Sequence, residues 1–350
     1  TLHGRKPEDT GAGTYFTGRG DHRGAVMKND KKIFILIETI LAVLALIVAL
    51  FMIEEWADTE VRKISVVVQD SDGARWAAFK YGLEMAASDN DVEVFVVSTG
   101  GTLTAEEEKE LLETEVENGA DGIIVQPVPG SGEEGFLEKI NKKVPVIQVE
   151  SAGDAEGGAS DLPVAEPDHY AVGQALAEEL KKDFGGSLHG KTIGIFQREE
   201  GTEAAKRREA GAKDCIRRAG GEILWTVSGY TGKGGELALP AYPPVDIMLA
   251  LDDSSLVQAG EAAADKQLHG AVVYGIAKSV EAIYCLDNSY VECLVVPDEF
   301  NVGYQSLSAV VQKLDHAYRQ EDRLLVSYTV VRRDTLFSEE NQNILFSMSQ

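Results

Sequence analysis

From residue 63 onward, short apolar runs alternate with stretches whose apolar residues recur at helical spacing. The runs are Ile64–Gln69, Val92–Val97, Gly122–Gln126, Val144–Val149, Thr192–Phe196, Ile223–Val227, Asp246–Leu251, Ala271–Tyr274 and Cys293–Val296. Most are continuous rather than alternating, which is the pattern of strands covered on both faces. The stretches between them, such as Thr104–Asn118 and Asp168–Phe184, read as amphipathic helices. The first opens on Thr104-Ala-Glu-Glu107, a capping box in which side chains satisfy the free amides of the first turn, and stops before Gly119. Strand–helix alternation of this kind predicts parallel sheets with right-handed crossovers. Four runs precede residue 150 and five lie between 190 and 296, on either side of the Gly/Asp/Pro-rich stretch Ser151–Pro167. The expected architecture is α/β, with two doubly wound parallel-sheet lobes. Crossovers are expected at Ala165–Val172, around Pro297 and near Arg323. A cleft then falls between the carboxyl ends of the strands, where open α/β sheets bind ligands.

The first sixty residues have another pattern. Ile33 to Ile53 is an apolar run of 21 residues broken only by Glu38 and Thr39. That length suits a helix through a bilayer core about 30 Å thick. Lys28, Lys31 and Lys32 precede it, and Glu54, Glu55 and Asp58 follow. The positive-inside rule then predicts one transmembrane helix, with residues 27–32 cytoplasmic and everything after it outside the cell membrane. A cleaved signal peptide is the competing reading, although its apolar region is usually shorter and followed by a small-x-small site. Residues 1–26 are Gly-rich and aperiodic, and read as sequence upstream of the start at Met27.

Charge and cysteine usage narrow the function classes. The net charge is -25, which argues against nucleic acid as a partner because phosphate binding needs a basic face. Cys215, Cys285 and Cys293 are an odd number, so no complete disulfide framework exists. They read as buried small hydrophobes, with a Cys285–Cys293 bridge as the alternative. No nucleophile elbow, Walker loop, dinucleotide fingerprint or zinc-protease helix is present, so no enzyme, metal or cofactor is expected. His169, His189, His269 and His316 lie near predicted loop or helix edges without regular spacing, and read as surface residues.

Five phrases carry a resemblance: Asn118-Gly-Ala-Asp-Gly-Ile-Ile-Val-Gln-Pro127, Pro145-Val-Ile147, Asp168-His-Tyr-Ala-Val-Gly173, Gly201-Thr-Glu-Ala-Ala-Lys-Arg-Arg-Glu-Ala-Gly211 and Pro297-Asp-Glu-Phe-Asn-Val-Gly303. In their order and spacing they resemble type I periplasmic binding proteins, the ribose- and galactose-binding group that shares its fold with lactose-repressor-type transcription factors. The repressors' DNA-binding segment has no counterpart here, since its place holds the apolar run. The resemblance covers residues 63–337 and implies an amino-terminal lobe of 63–166 plus 298–325. The carboxyl-terminal lobe would be 167–297 plus 326–340, with three crossovers between the two.

The resemblance also implies a site. Arg75 and Trp76 take the places of aromatics that cover a sugar ring, and Trp76 is otherwise a first-turn packing residue. Gln126 and Glu150 follow the third and fourth strands and face the ligand, unless their register slips by one. Arg208 matches a ligand arginine or else serves a structural ion pair. Tyr230 matches an aromatic of the facing wall, Asp252 takes a place often held by Asn, and Asp253 reads as the N-cap of the following helix. Sugar binders usually carry Gly-Phe-Asp where this chain has Tyr274-Gly-Ile-Ala277-Lys278, and Gln where it has Pro297. Arg75 and Lys278 beside Glu150 and Asp252 would suit a modified sugar, a sugar acid or a small zwitterion. The expected partner is a small-molecule ligand of the carbohydrate class, passed to an ABC permease. A sensor role with a membrane histidine kinase or chemoreceptor is the alternative.

Overall fold

Two six-stranded sheets form the chain beyond residue 60. The computed structural model describes residues 34–48, 61–71, 76–101, 103–128, 135–150, 162–198, 202–229, 239–316 and 323–345. The first sheet contains β1 (Lys63–Val67), β2 (Glu93–Val96), β3 (Gly122–Val125), β4 (Val146–Val149), β5 (Val164–Pro167) and β11 (Arg323–Val326), in the order β11-β5-β4-β3-β1-β2. The second contains β6 (Thr192–Gln197), β7 (Glu222–Ser228), β8 (Ile247–Ala250), β9 (Val272–Ile276), β10 (Cys293–Pro297) and β12 (Tyr328–Arg332), in the order β12-β10-β9-β8-β6-β7. Every neighbouring pair is parallel except β10 and β12. The expected pair of doubly wound lobes is therefore present, with one antiparallel edge strand.

Burial follows position in the sheet. β3, β4 and β8 are buried at every residue, as strands covered on both faces must be, whereas the edge strands β2 and β7 carry exposed positions. In β1, Ile64 and Val66 face one core and Val67 the other. Helices α2 (Ala77–Asp89) and α9 (Glu299–Leu314) cover the first of these faces, and α3 (Ala105–Glu117) and α4 (Phe136–Asn141) the second. In the other lobe α7 (Asp253–Ala264) and α8 (Val280–Asp287) cover one face; α5 (His169–Asp183) and α6 (Glu203–Arg218) cover the opposite one.

The caps match the sequence. Thr104 and Glu107 form the reciprocal capping box of α3, and Gly119 beyond its end has φ +87°. Asp168 caps α5 by accepting from Ala171 N. The α7 cap lies one residue earlier than expected: it is Asp252, which accepts from Ser255 N at 2.8 Å. Asp253 is the first helical residue, and its carboxylate accepts from Lys278 N and Ser279 N, tying the β9–α8 loop to α7.

All three cysteines are free and buried. Cys285 lies in the α7/α8 core and Cys293 in the core across the sheet, so the sheet itself separates them and the alternative bridge does not form. Burial pushes the Cys215 and Cys293 thiols up to about 12, which keeps them protonated.

The amino-terminal unit, residues 1–60, has one described helix, α1 (34–48), in which Thr39 Oγ1 donates to Ile35 O at 2.7 Å. No described helix is long and apolar enough to cross a membrane. Ile33 and residues 49–53 of the expected span lie outside the described residues.

Candidate functional site

The chain passes between the lobes at three points. β5 leads into α5 of the second lobe, β10 leads back into α9 of the first, and β11 passes directly into β12. The first two passages leave from the carboxyl ends of parallel strands, so the carboxyl edges of both sheets adjoin the crossovers. Side chains just after β1, β3, β4, β6, β8 and β9 therefore lie at the strand ends where open α/β sheets bind ligands, and are the candidates for the two walls of an interlobe site.

The wall of the amino-terminal lobe is built by hydrogen bonds between strand ends. Gln126 accepts from Gln69 N at 3.1 Å and donates through Nε2 to Glu150 Oε2 at 2.7 Å, so two of the expected site residues form one polar unit. Glu150 and Asp70 both hold left-handed backbone, with φ of 58° and 48°. Few residues other than glycine do so, and such positions cluster at functional sites. The loop after β1 is braced by Ser71 and Thr99, each donating its amide to the other's hydroxyl. Trp76 is buried, packs edge-on against Phe79 at 5.2 Å and donates Nε1 to Gln69 O at 2.9 Å. It is thus joined to the loop that carries Gln69 and, through it, to Gln126. Arg75 and Tyr230 lie outside the described residues.

On the facing wall, Asp252 is buried and uses its two carboxylate oxygens on Ser255 N and Arg198 N, so it fixes the β6 and β8 loops to each other. Gln197 at the end of β6 is buried and donates to Glu209 and Ser228, leaving its own Oε1 without a partner among the described residues. Arg208 is buried on α6, one turn from Gly211. Lys278 reaches across to the other lobe and pairs with Glu299 at the start of α9.

The first crossover holds a cluster that its component residues do not announce in the sequence. The Glu166 carboxylate is 1% exposed and is bracketed by Arg323 of β11 at 3.2 Å and Arg207 of α6 at 3.5 Å. Arg207 also lies 3.9 Å from Asp168. Glu166 and Arg323 belong to the first sheet and Arg207 to the second lobe, so the cluster ties the lobes beside the crossover. His169 is not a surface residue as expected: it is 6% exposed, and neither ring nitrogen has a hydrogen-bond partner among the described residues. Burial, reinforced by the charges of Arg208, Arg207 and Arg323, depresses its pKa to about 3.

That depression has a signed consequence. Unfolded His169 takes up a proton near its ordinary value of 6.5 and the folded form does not until about 3, so the contribution is intact above 6.5. Stability is expected to fall as pH drops from 6.5 towards 3, with a slope approaching about 1.4 kcal/mol per pH unit. Glu166 and Asp168 also face this cluster, so the effect is isolated by comparison with His169→Leu. Urea denaturation between pH 5 and 7.5 is expected to show a slope in the parent that the variant lacks; equal slopes would exclude it.

Two parallel lobes joined by three crossovers, with polar side chains gathered at facing strand ends, define a two-lobed ligand-binding protein. Residues 64–317 match the family model described as periplasmic binding protein domain. The chain belongs to this family. No curated protein matches it. Among solved structures, a carbohydrate transporter solute-binding protein from Agrobacterium radiobacter in complex with D-arabinose is 18% identical, with a TM-score of 0.66 over 82% of this chain and 100% of that one. GanP, a glucose-galactose binding protein from Geobacillus stearothermophilus, is 17% identical with a TM-score of 0.66, over 80% and 100% of the two chains. XylFII in a XylFII–LytSN complex is 17% identical with a TM-score of 0.60, over 78% and 98%.

Proposed function

We propose that this protein is an extracytoplasmic solute-binding protein that captures a small sugar or sugar derivative between its lobes for an ABC importer. The observation that carries the reading is the joined Gln126–Glu150 pair at the carboxyl edge of the first sheet, within the periplasmic binding protein fold. An amide and a carboxylate together can accept from and donate to neighbouring hydroxyls, which is the chemistry of a polyol site. Arg75, Trp76, Arg208, Tyr230 and Asp252 complete the proposed site. Proteins sharing this fold support the same class: two were solved in complex with D-arabinose and D-allose, and GanP is a glucose-galactose binding protein. Ligand contacts to both walls favour the closed arrangement, by no more than the ligand's preference for closed over open. Residues 33–53 anchor the protein in the cell membrane in this reading.

A second reading, ligand sensing for a membrane kinase or chemoreceptor, draws support from XylFII, which shares the fold and is found in complex with LytSN. Uptake of labelled sugar by cells lacking this chain separates the two: lost uptake supports transport, and intact uptake with a lost transcriptional response supports sensing.

The binding reading itself is tested by thermal shift of the full chain against sugars, sugar acids, polyols, nucleosides and amino acids. A ligand at a hundred times its Kd is expected to add about 2.7 kcal/mol of stability. A shift with sugars alone supports the proposal. A shift only with nucleosides or amino acids moves the substrate class, and no shift with any compound removes the reading.

A further inference from the structure

We propose that His169 is a ligand-binding residue of the carboxyl-terminal lobe, one of whose ring nitrogens engages a hydroxyl group of the bound sugar. This inference rests on the solute-binding reading given above and adds to it a specificity-determining contact.

Three observations converge on this residue. First, His169 is 6% exposed and both of its ring nitrogens lack a hydrogen-bond partner among the described residues. A buried polar atom left unpaired costs stability, and folds retain few of them. Second, its place in the chain is the edge on which the proposed site lies. It is the first residue of α5, directly after the crossover from β5, and so stands at the carboxyl edge of both sheets. It shares the inward face of α5 with Val172, Gly173 and Leu176, and Gly173 packs against the backbone of Arg208. The imidazole thus stands next to a residue already placed in the proposed site. Third, the charges that act on it come from both lobes, Arg207 and Arg208 on α6 and Arg323 on β11.

Those charges decide the chemistry. A ring surrounded by guanidinium groups stays neutral, with one nitrogen carrying a proton and the other bare. A carboxylate could answer only the protonated nitrogen, and an ammonium only the bare one, against repulsion from the arginines. A hydroxyl both donates and accepts, so it satisfies whichever nitrogen faces the ligand. A sugar hydroxyl therefore fits this wall, in a chain that lacks the Gly-Phe-Asp phrase after β9.

The test compares the full chain with His169→Leu and His169→Asn. Dissociation constants are measured by calorimetry for D-arabinose, D-allose, D-glucose and D-galactose, with the monodeoxy analogues of whichever sugar binds. The leucine variant is expected to bind that sugar more than tenfold more weakly. Its ligand-free melting temperature should stay equal to the parent's or rise, because an unpaired buried polar ring has been replaced by an apolar one. His169→Asn, which can still donate and accept, should recover part of the affinity. One monodeoxy analogue should bind parent and leucine variant alike, identifying the contacted hydroxyl. A fall in melting temperature with proportionate weakening for every analogue would mark His169 as structural and overturn the inference. Equal sugar affinity in parent and variant would overturn it while leaving solute binding in place. Failure of the parent to bind any of these sugars would overturn it together with the sugar reading.

Discussion

Gly173→Ala is expected to destabilise the protein by about 3 kcal/mol, the upper part of the range for forcing an extra carbon into a filled interior. Helix propensity alone predicts the opposite, a gain of about 1 kcal/mol from replacing glycine inside a helix. The sign is decided by space: a Cβ on Gly173 would lie 2.0 Å from Arg208 O and 2.8 Å from its carbonyl carbon. Backbone atoms cannot rotate aside as a side chain can. Gly211 on α6 meets Tyr170 O at 2.1 Å in the reciprocal direction, so the two helices touch backbone to backbone. The other lobe repeats the device between α2 and α9, with Gly82 against Phe300 O at 2.0 Å and Gly303 against Phe79 O at 2.1 Å. Urea denaturation of the four single alanine variants should show losses of similar size, with Ala210→Ser on the exposed side of α6 as a neutral control. A Gly173→Ala variant as stable as the parent would mean that the helices can separate freely. In that case the placement of His169 and Arg208 at the proposed site would lose its support.

Arg332→Ala is expected to cost about 2 kcal/mol, below the usual range for breaking a buried pair because Arg332 keeps part of its surface in water. Arg332 on β12 donates Nη2 to Glu179 Oε2 at 2.9 Å and Nη1 to Asp183 Oδ2 at 3.0 Å, and Asp183 also accepts from Tyr274 OH at 2.7 Å. These bonds fasten α5 to the antiparallel edge of its sheet. Burial pushes the Glu179 carboxyl up, but hydrogen bonds from Lys182 and Arg332 outweigh it and hold the group below its ordinary 4.5. A carboxylate depressed by folding stabilises the protein above its unfolded value and loses that contribution as pH falls through the folded one. The stability gap between parent and variant should therefore be full at neutral pH and narrow below about 4.5. A gap that is constant with pH would place the effect in lost packing rather than in the charge pair.

The nine apolar runs read from the sequence all correspond to strands: seven are central strands of covered sheets, which need near-continuous hydrophobicity, and β2 and β7 are edge strands that keep apolar residues on their covered side. The three strands without such a run are β5, β11 and β12. Each adjoins a crossover, where the chain must turn between lobes, and each mixes polar residues or proline into a run of four or five. Val164–Pro167 contains the buried Glu166, and Arg323–Val326 starts with its partner Arg323. Pairing between distant residues gives such segments their place, and pairing leaves no periodicity to read.

The polar pair Gln126 and Glu150 was legible in the same way. Gln126 and Glu150 follow clear strands, so the ends of those strands located them. The burial of His169 was not visible, since a histidine at a helix start is ordinarily solvated. Its neighbours Arg207 and Arg208 belong to a helix more than thirty residues away, and Arg323 to a strand over one hundred and fifty residues on. Asp252 and Asp253 show the finer limit: adjacent aspartates at a strand–helix junction both suit a cap, and only the backbone angles choose between them.

The interleaving of the lobes bears on how the protein is made. The core beneath α2 is closed by Val302, Leu307, Val310 and Val326, which pack with Ile64 and Val66 from the beginning of the same lobe. A nascent chain that has emerged only as far as β10 has every strand of the first sheet except β11, but lacks the helix that seals one of its faces. Domains completed early in synthesis can fold while the rest is still being added. Here the lobe begun first is finished almost last, so both lobes are expected to mature together. Chains halted before residue 326 should leave the amino-terminal lobe open to proteases and to aggregation.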